Sequence, residues 1–98
     1  MRKDLPGADL IVKGLSDLGH DRVTTESLLV SIGAPRLRAA GLTVPRAIRN
    51  AEHRLYDRLA SRHGNDAHSR YNAFIRRLVS FERALECVKK PTRGKSAS

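Results

Sequence analysis

From Ala67 to Val88 the apolar residues Ala67, Tyr71, Phe74, Leu78, Phe81, Leu85 and Val88 recur at spacings of 4, 3, 4, 3, 4 and 3. A 3.5-residue repeat held this long permits little except a long amphipathic helix whose seam lies against another helix. Pro91 bars continuation beyond Lys90, because proline has no N–H and clashes with the preceding turn. Asn65 and Asp66 are suitable caps for its start. This is the last of about five predicted helices. Its expected partner is the helix before it, since the short connection "HGNDA" forces the two antiparallel.

The remaining punctuation is also helical. Pro6 suits a first helical turn, after which Ala8, Ile11, Val12, Leu15 and Leu18 recur at helical spacing up to Gly19, a residue able to take a left-handed stop. Thr24 can cap a second helix, with Glu26 in its first turn and Val23 placed to staple onto Leu28. Leu28, Leu29 and Ile32 form its apolar face, and Gly33 is expected to end it. Pro35 then opens a short third helix, "PRLRAAG", closed by Gly41. A fourth helix is expected from Pro45 to Gly64, with Ile48, Ala51, Leu55 and Leu59 as its buried stripe and Arg46, Asn50, His53 and Asp57 opposite. The expected architecture is all-α: one helical domain over residues 1–90, its core an antiparallel hairpin of the two long C-terminal helices. The tail 91–98, "PTRGKSAS", is read as basic and disordered. The last helix outruns its partner by a turn or two, which points to coverage by the first helix or to a homodimer through the fifth.

At 98 residues the chain has room for one small core. Its formal net charge of +9 is uneven: residues 1–44 carry six Lys/Arg against five Asp/Glu, and residues 45–98 carry thirteen against five. A basic half of this kind concentrates polyanions, either nucleic acid or an acidic protein. No apolar run is long enough to span a bilayer, the opening "MRKDLPGADL" lacks the apolar region of a signal peptide, and Cys87 is the single cysteine. These features point to a cytoplasmic, bacterial-type protein without membrane association.

Arg76, Arg83 and Lys90 lie seven apart on the face opposite the seam, a positive rail with spacing of roughly 10 Å. Together with Arg49 they are the candidate nucleic-acid contacts. Tyr71, Phe74 and Phe81 occupy the seam and read as core rather than as a base-stacking platform. The segment Thr25 to Leu42 has the outline of a helix-turn-helix, but its second helix is too short to present three or four side chains to base edges.

The stretch "RLASRHGNDAHSRYN" contains Arg58 five residues before His63 and Arg62 six before His68. These spacings resemble the Arg-x4–6-His motif of HEPN-domain RNases, all-helical proteins in which the pair meets across a dimer. The resemblance implies metal-independent RNA cleavage, with His68 as acid/base and Arg62 stabilising the phosphorane. In that family a polar Asn or Asp usually follows the arginine, whereas here His63 does. The alternative for the stretch is a helix corner, with His63 favourably placed at a helix C-terminus. Two histidines over a loop with only Asp66 nearby do not make a metal site. No glycine-rich phosphate loop, nucleophile elbow or paired carboxylates appear, so no cofactor is expected. The sequence therefore points to a binding or regulatory module that is not an enzyme, with nucleic acid as its partner. The alternatives are a protein adaptor or antitoxin-like subunit, whose seam a partner completes, and a HEPN-like RNase.

Overall fold

The computed structural model describes residues 5–89, which form an all-α fold. Among them are four α-helices: α1 (Ala8–Gly19), α2 (Thr25–Ala39), α3 (Ala51–His63) and α4 (Ala67–Lys89), with a single 3-10 turn (Gly64–Asp66) between the last two. Helix α2 is central, touching each of the other three. The tail 91–98 and Lys90 lie outside the described residues.

Four helices replace the five expected because Pro35 does not open a helix of its own. It sits inside α2, where it removes one backbone hydrogen bond to the Ser31 carbonyl. Helical geometry survives because α2 is clamped by its surroundings. Residues 27 to 31 are buried without interruption, as are Gly33, Ala34 and Leu37, and a helix buried on most sides has no clear polar face for a periodicity to reveal. Gly33, expected as a stop, is instead the point where α2 crosses α4. A Cβ there would sit 2.7 Å from Glu82 Oε2 and 2.8 Å from Leu78 Cδ1.

Helix α1 begins two residues after Pro6, following Gly7, whose φ of 77° is left-handed. A Cβ on Gly7 would lie 3.0 Å from the Arg77 carbonyl oxygen, so both backbone conformation and closeness to α4 call for glycine. The helix stops through Asp21 (φ 57°) rather than Gly19, and the Arg22 N–H returns to the Asp17 carbonyl at 2.8 Å. The cap expected at Thr24 is present. Thr24 Oγ1 accepts from the Ser27 N–H at 3.0 Å while Ser27 Oγ accepts from the Thr24 N–H at 2.7 Å, a reciprocal box. Thr24 Oγ1 also donates to the buried Asp17 carboxylate at 2.7 Å, which Lys13 reaches at 2.7 Å. These bonds hold the Asp17 carboxyl below the usual carboxylate range, the Lys13 bond contributing most and the Thr24 bond next. One carboxylate thereby joins α1 to the start of α2. Val23, placed as a staple, is exposed.

The fourth expected helix starts six residues after Pro45. Its first part is irregular because Val44 is pinned to the core and the Ile48 N–H donates to Ser31 Oγ of α2 at 3.0 Å. Asn50 turns the chain into α3 through a left-handed φ of 55°. Ala51, Leu55 and Leu59 are buried as expected. Along α4, Ala67, Leu78, Phe81 and Leu85 are buried and Tyr71 and Phe74 partly so; the side chain of Val88 lies outside the description. The α3–α4 hairpin exists, but the core is not that hairpin alone: Leu28, Leu29, Val30 and Leu37 of α2 are among its most deeply buried residues. Beyond the reach of α3, α4 is covered by α2, whose Arg36 lies 3.7 Å from the buried Glu82 and 3.3 Å from Glu86. Burial raises the Glu82 carboxyl above its ordinary range, Arg36 opposing and Glu86 adding to the effect.

Candidate nucleic-acid interface

Helix α3 carries Arg54, Arg58 and Arg62 at successive four-residue intervals, so they line up along one side of the helix. Leu55 and Leu59 anchor the neighbouring face in the core, which turns the arginine row toward the start of α2. There the three line a groove with Val23, Leu28 and Ser61. Arg58 Nε donates to Thr25 Oγ1 at 3.2 Å, setting one guanidinium beside the first turn of α2, where the helix dipole also favours negative charge.

An adjoining hollow shares Val23 and Arg54 with this groove and adds Arg22, Arg46 and Arg49. The combined lining holds six arginines against two aspartates, Asp21 and Asp57. Asp57 is itself 3.2 Å from His53. Arg22 has Asp17 at 3.7 Å; among the described residues, Arg46, Arg49, Arg54, Arg58 and Arg62 have no carboxylate within ion-pair distance. Guanidinium groups in such density present paired N–H donors suited to phosphate oxygens.

Arg49, expected as a nucleic-acid contact, belongs to this groove. Arg76 does not: with Arg70 and Arg77 it borders a separate hollow against Pro6 and Gly7. Arg83 is exposed on the same stripe of α4 as Arg76, and Lys90 lies outside the described residues. Arg49 and Arg76 thus line different hollows, near opposite ends of α1. Arg54 and Arg58 were missing from the expected contacts, although their four-residue spacing with Arg62 was readable.

Arg62 and His68 have different surroundings within the chain. Arg62 lines the groove beside α2, whereas His68 sits with its ring 6.4 Å from that of Tyr56, and the rings of Tyr56 and Tyr71 meet tilted, their centroids 5.5 Å apart. His68 Nε2 is 3.2 Å from the Asn72 amide. Around α3, Tyr56 and Arg62 point roughly 120° apart. Tyr71 is only partly buried, and its hydroxyl is pushed up by burial and by the charge of Glu52. Among the described residues no cluster of three or more His, Cys, Asp or Glu could hold a metal ion, and no helix is long and apolar enough to cross a membrane. No family model, curated protein or solved structure matches the chain.

Proposed function

We propose that this chain is a small helical module that binds nucleic acid through the arginine groove of α2 and α3, without chemistry of its own. The observation carrying this reading is the row Arg54, Arg58 and Arg62, which merges with Arg22, Arg46 and Arg49 into one strongly positive surface. The proposed contacts run to the phosphate backbone, so recognition is expected to be independent of sequence.

Labelled single-stranded RNA and duplex DNA, titrated with the protein at low salt and then run on a gel, test the proposal. Binding of intact probe is expected, and replacing Arg54, Arg58 and Arg62 together by alanine is expected to weaken it by about tenfold or more. Absence of binding at low salt would overturn the reading and direct attention to an acidic protein partner. Cleaved probe, with cleavage lost in Arg62→Ala or His68→Ala, would replace it with the RNase reading.

A further inference from the structure

We propose that the chain has a second phosphate-binding surface, formed by Arg70, Arg76 and Arg77 of α4, and that it bridges two nucleic-acid segments. The inference rests on the function proposed above and extends it to a different part of the molecule. The α4 arginines border a hollow shared with Pro6, Gly7 and Phe74, and among the described residues no carboxylate lines it. This surface has no residue in common with the groove of α3. It adjoins the N-terminal end of α1, while the groove system includes Leu18, Asp21 and Arg22 at the opposite end. The twelve residues of α1 span about 18 Å, more than the ~8 Å screening length at physiological salt. Occupation of one surface therefore leaves the potential of the other nearly intact.

The two surfaces also point apart. Tyr56 of α3 and Tyr71 of α4 mark the side on which the hairpin helices meet. At roughly 100° per residue, Arg58 lies about 160° around α3 from Tyr56, while Arg76 and Arg77 lie about 140° and 120° around α4 from Tyr71. Both sets therefore occupy outer edges of the hairpin. A duplex stiff over about 150 base pairs resists the sharp bend needed to reach both edges at once. Two segments can be held side by side.

The test uses the full chain with duplexes of about 12 base pairs, too short to bend from one outer edge to the other, with stoichiometry measured by sedimentation and bridging by capture of dye-labelled duplex on beads carrying unlabelled duplex. Two duplexes per chain and efficient capture are expected. Joint Arg70→Ala, Arg76→Ala and Arg77→Ala substitution is expected to leave one duplex per chain and cut capture about tenfold, while affinity for the remaining duplex changes less than about threefold. These arginines are exposed, and an unchanged helical circular dichroism spectrum verifies the fold of the variant. One duplex per chain in the unmodified protein would overturn bridging while leaving the groove's function standing. Capture that persists in the triple variant would also overturn it, by assigning the bridge to self-association. No duplex bound at all would overturn both proposals.

Discussion

Single residues decide where this small core can close. A Cβ on Gly14 would lie 2.4 Å from both the Glu26 carbonyl oxygen and Val30 Cγ2, so α1 and α2 touch almost backbone to backbone. Gly14→Ala is expected to lower unfolding free energy by about 2 kcal/mol in urea titration, because overpacking outweighs the ~1 kcal/mol gained in helix propensity. An unchanged midpoint would mean that α1 is not seated there. Two buried carboxylates should respond oppositely to pH. Asp17 has a depressed folded pKa, so its contribution is complete above the unfolded value of about 3.8 and is lost as pH falls through the lower folded value. Glu82 has a raised folded pKa, so its protonated form favours the fold at low pH and that advantage disappears as pH rises from about 4.5 through the folded value. Asp17→Asn should flatten the acid limb of a stability–pH curve, whereas Glu82→Gln should raise stability at neutral pH. Loss of stability at pH 7 in Glu82→Gln would show instead that the Arg36 ion pair outweighs the burial of the charge.

At the scale of elements, the amphipathic helices were legible and the central one was not. The seam of α4 and the stripe Ala51, Leu55 and Leu59 of α3 could be read because each presents one face to the core and one to solvent. The Thr24 cap was legible because its chemistry is local. Helix α2 defeated the reading: burial on most sides erased its period, and Gly33 and Pro35, ordinarily punctuation, serve a helix crossing and an interior turn held by tertiary packing. Pro45 misled in the same way, since the Ile48–Ser31 bond and Asn50 delay α3. If α2 is one continuous helix, Pro35→Ala restores a hydrogen bond at an exposed position and should stabilise the protein by about 1–3 kcal/mol in denaturant unfolding. Destabilisation would indicate a break at Pro35. Thr24→Ala, which removes both the box and the bond to Asp17, should cost about 1–2 kcal/mol.

Over the whole molecule, the basic second half pointed to a polyanion partner without indicating which surface would meet it. Charge counts carry no information on which arginines converge. Arg22 reaches the groove from the α1–α2 turn, Arg46 and Arg49 from the irregular segment, and Arg54, Arg58 and Arg62 from α3; only the tertiary fold brings these three origins together. Arg62, paired with His68 on sequence spacing, is also one member of a row facing α2. If this row neutralises phosphates, the salt dependence of duplex DNA binding measures it directly. Each phosphate contact adds about 0.9 to the slope of log K against log salt, so replacing Arg54, Arg58 and Arg62 by alanine should reduce the magnitude of that slope by about 2 to 3. A slope unchanged by the triple substitution would contradict the assignment of the groove as the binding surface.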